Sequence, residues 1–245
     1  GVEGDELNIY TGLVHFAGHG SLNLVAAEGQ PFGTYKGTGF VYDDQGHIVV
    51  DGVGNPVRSA ESKYIGSYQP DFLYSIGSDF RFRNFNLHIL LDGRKGGFFY
   101  SGTRLSTEFN GTASSTVIDG KRENFVVPNS VVSENGTYVT NTQETSVYSY
   151  FRGLPAEHYL IDATYLKLRE ISLSYNLPNE ILGVKGFKDV TIGVFAKNLK
   201  YWVAKDNTFA DPEVGGVGAS SDAVGIETST TPSSASYGAE LRFKF

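Results

Sequence analysis

The stretch Tyr237-Gly238-Ala239-Glu240-Leu241-Arg242-Phe243-Lys244-Phe245 closes the sequence and alternates in polarity along its length. Successive side chains of a strand point to opposite faces. Tyr237, Ala239, Leu241, Phe243 and Phe245 therefore share one face, and Gly238, Glu240, Arg242 and Lys244 share the other. In a soluble sandwich the apolar face would cover a core and the charges would meet bulk water. In a membrane barrel the apolar face would meet lipid and the charges a polar lumen. An aromatic as the final residue of such a strand favours the barrel.

The same alternation recurs upstream. Phe72, Tyr74, Ile76, Phe80 and Phe82 lie on one face, with Ser75, Gly77, Asp79 and Arg81 opposite. A tight turn at Arg83-Asn84 follows. The return strand places Phe85, Leu87, Ile89 and Leu91 on one face and Asn86, His88 and Asp92 on the other. Aromatics near strand ends suit the interfacial girdle of a barrel. A third strand carries Ile171, Leu173, Tyr175 and Leu177 against Ser172, Ser174 and Asn176, and Pro178 ends it. Leu166 and Leu168 fall in the opposite phase, so either a bulge lies near Arg169-Glu170 or these leucines face inward. Asn179 to Lys188 reads as a turn with Asn179 as a cap. Val190, Ile192, Val194 and Ala196 then alternate with Thr191, Gly193 and Lys197, while Phe195 breaks the polar face.

Helical periodicity is nearly absent, so the chain reads as all-β. Ser101 to Ser149 and Tyr201 to Ser236 are long polar segments. Such loops are unusual in a compact soluble domain and expected at the extracellular end of an outer-membrane barrel. Gly1 to Asn55 is Gly-rich β-structure with no clear position.

The 245 residues carry a net charge of −7, which argues against a general nucleic-acid binder. Cysteine is absent, so disulfides and thiolate metal sites are excluded. Aromatics are abundant, with 15 Tyr and 17 Phe. No apolar run reaches the 18 or so residues of a transmembrane helix, but a barrel strand needs only about 9–11 of alternating polarity. Met is absent even at position 1, which points to a processed or excised segment, and the missing signal peptide carries no information.

Several stretches, in order, resemble the SusC/RagA-type TonB-dependent transporters. Tyr64-Ile65-Gly66-Ser67 leading into Pro70-Asp71-Phe72 resembles that family's segment before a late hairpin. Tyr165-Leu166-Lys167-Leu168-Arg169-Glu170-Ile171-Ser172-Leu173-Ser174-Tyr175-Asn176-Leu177-Pro178 is similar to its leucine-lysine-leucine strand. Lys197-Asn198-Leu199 with Trp202, then Asp211-Pro212-Glu213-Val214, resembles the next strand and its loop. Glu28 to Val53 and the closing strand also match. Departures are Lys197, where the family often has Gln, and Ser233-Ser234-Ala235-Ser236, where it often has an Arg.

The resemblance implies that residues 1–245 are the C-terminal portion of a transmembrane β-barrel of about 22 strands around a plug. The plug, the earlier strands and the segment that contacts TonB would lie upstream. It further implies a Gram-negative outer-membrane transporter for oligosaccharides or peptides, capped by a SusD-type surface lipoprotein. Such a protein is not an enzyme and needs no cofactor. Asp79, Arg81, His88, Lys197, Glu240, Arg242 and Lys244 would then face the lumen. Leu241→Arg would impair assembly more than Arg242→Leu, because a midplane Arg on the lipid face costs about 2–4 kcal/mol.

Other chemistry is thin. His15 and His19, four apart, would lie about 13 Å apart in a strand, too far to share a metal. Asp43-Asp44-Gln45-Gly46 lacks the ligand pattern of a calcium loop and reads as a turn. Asp211 and Glu213, two apart on a loop, fix no acid–base geometry. Asn110-Gly111-Thr112 and Asn135-Gly136-Thr137 match the glycosylation sequon but read as turns. No nucleophile elbow, P-loop or Rossmann fingerprint appears. Aromatics in expected loops are Tyr35, Tyr42, Phe98, Phe99, Tyr100, Tyr201, Trp202 and Phe209. Of these, Tyr201, Trp202, Phe98 and Tyr100 are the candidates to stack on a substrate. The competing reading is packing, or placement at a membrane interface. A soluble β-sandwich that binds carbohydrate is the alternative function, and it requires folding in water without detergent. A soluble hydrolase has no catalytic constellation behind it.

Overall fold

In the computed structural model, residues 6–10, 22–134, 136–178, 189–213 and 224–244 are described. Strands β1 (Glu6–Tyr10), β2 (Leu22–Ala27), β3 (Thr34–Gly37), β4 (Ile48–Val50) and β5 (Lys63–Ser67) come first. β6 (Phe72–Phe82) and β7 (Phe85–Lys95) form a long hairpin, and β8 (Phe98–Ser101) leads into helix α1 (Gly102–Phe109). β9 (Asn124–Val126), β10 (Ser130–Glu134), β11 (Thr137–Thr140) and β12 (Glu144–Ser146) precede helix α2 (Val147–Gly153). β13 (Leu160–Asp162), β14 (Tyr165–Asn176), β15 (Asp189–Val203), β16 (Ile226–Glu227) and β17 (Ser236–Lys244) follow. The fold is all-β, as the sequence indicates.

The chain divides into two compact units. The sheet unit comprises Pro70–Gly96, Ala163–Lys205 and Thr231–Phe245. The second unit comprises Gly1–Gln69, Gly97–Asp162 and Asp206–Thr230.

The sheet unit is one antiparallel sheet in the order β17-β15-β14-β7-β6. Its strands run from 9 residues in β17 to 15 in β15, long for a globular protein and sufficient to cross a bilayer. Every strand carries period-2 alternation and none contains proline. The β6–β7 turn is tight because Arg83 takes a left-handed conformation, φ 54°. Asn84 fixes that turn to the end of β14: its Nδ2 donates to the Asn176 carbonyl at 2.7 Å, and Asn176 N donates to the Asn84 carbonyl at 2.9 Å.

The phase change at Leu166 and Leu168 is a bulge. The register of β14 shifts between Leu168 and Glu170 against both neighbours, leaving Arg169 unpaired. Leu168 pairs with Leu91 and Ile171 with Ile89, so both leucines rejoin the apolar face instead of pointing inward. On β15 the surplus residues are Asn198 and Leu199, and Asn198 has φ 50°. The bulge turns Arg169 towards Asp92, with Nε 2.6 Å from Oδ1. Phe195, the exception on the polar face of β15, lies over Gly238, where a Cβ would run into the ring.

Two layers are needed to bury the apolar face of a sheet in a soluble domain. Here that face is open: Phe80 is 57%, Val194 56% and Leu241 57% exposed. The sandwich alternative would require a second layer over these residues.

The second unit corrects the expectation of long irregular loops. Residues between Ser101 and Ser149 form α1, four short strands and the start of α2. Ser101 Oγ caps α1 by accepting from Arg104 N at 3.0 Å, and Ser146 Oγ caps α2 by accepting from Ser149 N at 3.0 Å. The small sheets are β1-β2-β3-β5, β11-β10-β4, β12-β9 and β13-β8-β16. Their core draws on distant parts of the chain: Leu24, Tyr35, Tyr100, Leu105, Phe151 and Ile226 are all buried in one cluster. Gly225 holds this core together. Its φ is 84°, and a Cβ there would run into Tyr35 Oη and lie 2.7 Å from Tyr68 Cβ. Tyr35 Oη also donates to the Gly225 carbonyl at 2.6 Å. Gly225→Ala combines left-handed strain with overpacking and should cost about 2–4 kcal/mol. Limited proteolysis of the second unit should accelerate accordingly, and an unchanged rate would refute the account.

Candidate functional site

Cross-strand pairing sorts the sheet into ordered rows. On the apolar face, Phe82, Phe85, Tyr175, Ile192 and Leu241 form the first row. Phe80, Leu87, Leu173, Val194 and Ala239 form the second, and Ser78, Ile89, Ile171, Ala196 and Tyr237 the third. Beyond the bulge come Ile76, Leu91 and Leu168, then Tyr74, Gly93, Leu166 and Trp202.

Aromatics mark both ends of this face. The Phe85 and Tyr175 rings meet at 4.6 Å near one end, and Phe72 and Tyr74 at 5.8 Å near the other. Phe72 to Phe82 is ten residue steps. Ten steps span about 33 Å along a strand, or about 25 Å in height at a tilt of about 40°, which matches the apolar band of a membrane barrel. Lys200, next to Trp202 on this face, places its Nζ 5.4 Å from the indole centroid. Lysine beside tryptophan is the chemistry of an interfacial anchor, with the ammonium reaching out of the apolar layer.

The reverse face is polar. Arg81, Asn86, Ser174, Gly193 and Glu240 form one row, and Asp79, His88, Ser172, Phe195 and Gly238 the next. Asp79, Arg81, His88, Lys197, Glu240, Arg242 and Lys244 all fall on this face. His88 Nδ1 meets Asp79 Oδ1 at 2.9 Å, Lys197 Nζ meets Glu170 Oε2 at 3.5 Å, and Arg242 meets Glu240 at 3.6 Å. Acidic and basic side chains are thus paired at three places on this face. Lys167, 1% exposed, holds its Nζ between the Tyr165 and Tyr201 rings at 5.4 and 5.5 Å.

The four aromatics named as candidates to stack on a substrate stand in different settings. Tyr201 and Trp202 lie within β15, not in a loop, and point to opposite faces: Tyr201 pairs with Lys167 on the polar side and Trp202 with Leu166 on the apolar side. Phe98 is partly exposed on β8, packed against Gly66. Tyr100 is core, 2% exposed, with its ring edge-on to Tyr159 at 6.0 Å. Burial pushes its phenol well above the ordinary range and leaves no ring face for a ligand.

The smaller motifs are turns. Asp43 Oδ1 accepts from Gln45 N at 3.0 Å and His47 N at 2.8 Å, and Gly46 has φ 84°. Asp211 Oδ1 accepts from Glu213 N at 3.1 Å, so the carboxylate shapes its own loop. Asn110 caps the C-terminus of α1. Among the described residues no three metal-ligating side chains gather. His15, His19, Asn135, Asn179 to Lys188, Val214 and Phe245 lie outside the described residues.

Two buried carboxylates of the second unit escape sequence reading. Glu227 accepts from Ser101 Oγ at 2.9 Å, Thr103 Oγ1 at 2.6 Å and Thr103 N at 3.2 Å, which seats an anion at the N-terminus of α1. Glu108 meets His158 Nε2 at 2.8 Å, Arg104 Nε at 3.3 Å and Ser115 Oγ at 2.8 Å. Burial pushes the Glu108 carboxyl up, but the bond to His158 and the charges of His158 and Arg104 outweigh it, so its pKa ends below the ordinary value. Arg104 and Glu108 are an i,i+4 pair on α1, but His158 lies 50 residues from Glu108 and Ser101 lies 126 from Glu227.

No family model matches the chain. The chain is 30% identical over 177 residues to TonB-dependent receptor P3 of Formosa agariphila, covering 70% of this chain and 16% of that protein. It is 21% identical over 215 residues to TonB-dependent receptor P26 of the same organism, covering 86% of this chain and 20% of that protein. The chain thus spans about a fifth or less of these relatives' lengths. Among solved structures, the RagAB peptide importer in its open-open state superposes with a TM-score of 0.56 at 16% identity, covering 90% of this chain and 23% of that one. A second structure of the RagAB peptide transporter gives 0.55 at 18% identity with the same coverage.

Proposed function

The chain belongs to the SusC/RagA-type TonB-dependent receptors, and from that premise we propose that it forms the C-terminal portion of an outer-membrane barrel that imports oligosaccharides or peptides. The observation that carries this reading is the two-sided sheet. An apolar face ringed by aromatics stands exposed opposite a face of paired charges. Lipid is the solvent that suits the first face, and a polar interior suits the second.

In this reading β6, β7, β14, β15 and β17 cross the membrane. The Asp79–His88 and Lys197–Glu170 pairs line the lumen or face the plug. The strand ends at Phe72, Lys95, Tyr165, Val203 and Ser236 share one end of the sheet, and the long connections leave from there. The other end carries the tight Arg83-Asn84 turn. Short turns at one end and long segments at the other support an extracellular position for those connections. The plug and the segment that meets TonB belong to the rest of the receptor. A surface lipoprotein of the SusD type serves as its lid, and neither nucleic acid nor a cofactor enters the cycle.

The test is extraction of the outer membrane from native cells, affinity capture of this chain and mass spectrometry of what accompanies it. Barrel and plug sequence together with a surface lipoprotein is the expected result. Recovery of the chain from the soluble fraction overturns the reading.

A further inference from the structure

We propose that a cleft of the second unit, between the C-terminal end of α1 and the start of α2, binds a carboxylate of an incoming ligand through Arg152 and Arg122. The cleft has a volume of about 290 Å³ and is lined by Phe109, Asn110, Arg122, Tyr148 and Arg152 with Glu108. That volume sits at the small end of ligand pockets, enough for one acidic unit of a longer molecule.

The Arg152 guanidinium is held in place without being neutralised. Its Cζ lies 3.9 Å from the Phe109 ring centroid and 4.0 Å from that of Tyr148. Tyr148 precedes Arg152 by four residues on α2, the spacing that stacks side chains on one helix face. Phe109 arrives from the end of α1. The Arg152 Nε is buried with no hydrogen-bond partner. Among the described residues neither Arg152 nor Arg122 forms an ion pair. The acid of the cleft, Glu108, is already engaged by Arg104, His158 and Ser115 and cannot serve as their counter-ion. Two uncompensated guanidinium groups in one cleft of a chain with net charge −7 form a local exception that general electrostatics does not explain.

The chemistry selects a planar oxyanion. A guanidinium held against aromatic rings keeps its plane and can donate two parallel N–H bonds to a carboxylate. Packing fixes the fork before the ligand arrives, so little side-chain freedom is lost on binding. Arg122, exposed on the rim, adds a second positive charge.

The ligand's source, an acidic saccharide or an acidic peptide, rests on the import reading; binding itself does not. Calorimetry on the intact receptor in detergent, with tri-galacturonate, tri-glutamate and neutral maltotriose, tests it. One or both acids should bind, more weakly at higher salt, and maltotriose should not. Binding of the saccharide alone or of the peptide alone supports the cleft and identifies its source. Arg152→Gln should weaken binding at least tenfold. Arg152→Lys should also fail to restore it, since a point charge lacks the fork. Arg122→Gln, at an exposed position, should weaken it several-fold and decides the matter if Arg152→Gln misfolds. Equal binding of maltotriose, no binding of either acid, or wild-type affinity in the variants overturns the proposal. A receptor that inserts correctly but binds neither acid leaves the transporter reading standing.

Discussion

Ile171→Arg should keep the receptor out of the outer membrane, while Ser172→Arg, one residue away, should leave it there at near wild-type level. Ile171 lies in the third of the five apolar rows, flanked by Ile89 and Ala196 and midway between the aromatic ends. A lipid-facing Arg near the midplane costs about 2–4 kcal/mol, a factor of about 30 to 900 in the folded population. Ser172 points the other way, flanked by His88 and Phe195 on the face that already holds Asp79, Arg81 and Glu240. The two substitutions place the same charged residue in the same strand, so the added charge is identical and the face it meets differs. Membrane fractionation with immunoblotting reads the result. Equal loss in both variants, or greater loss in Ser172→Arg, means that the apolar face does not meet lipid.

The pair also shows why the sheet is readable in the sequence. A strand exposed to two different solvents must alternate at every residue, so Phe72 to Leu91 and Tyr237 to Lys244 declare their faces without tertiary information. Where the rule breaks at Leu166 and Leu168, the sequence could offer only a choice, because a bulge is defined by pairing with β7 and β15 and not by β14 alone. The second unit fails for a different reason. Its strands mostly run from two to six residues, shorter than the window over which alternation becomes a signal, and its core joins Leu24 and Tyr35 to Tyr100, Phe151 and Ile226. Polar composition between Ser101 and Ser149 therefore resembles a loop although it folds. Tyr100 looked accessible on that view and is core. Tyr201 and Trp202 looked like a pair, and strand geometry puts adjacent residues on opposite faces.

The second unit's stability should depend on one acid that no motif announces. Glu108→Ala leaves His158 and Arg104 packed around a vacated carboxylate. Breaking a buried ion pair on one side costs about 3–5 kcal/mol, raising the opened population about 150- to 5,000-fold. The sign with pH follows from the direction of the shift. The folded pKa of Glu108 lies below its ordinary 4.5, so its contribution is complete above that pH and is lost as pH falls through the folded value. Tyr150 and Tyr159, the phenols that feel the Glu108 charge, are pushed up by burial and stay neutral. Acid sensitivity of the second unit below about pH 4.5 should therefore be marked in the wild type and blunted in Glu108→Ala. Hydrogen exchange on the intact receptor, followed by peptide from α1 and the Ala156–Tyr159 turn, measures both effects. Adding His158→Ala to Glu108→Ala should cost less than the sum of the single changes, because the second removes a group already stranded by the first. Strict additivity would assign the cost to lost volume and remove the ion pair from the account.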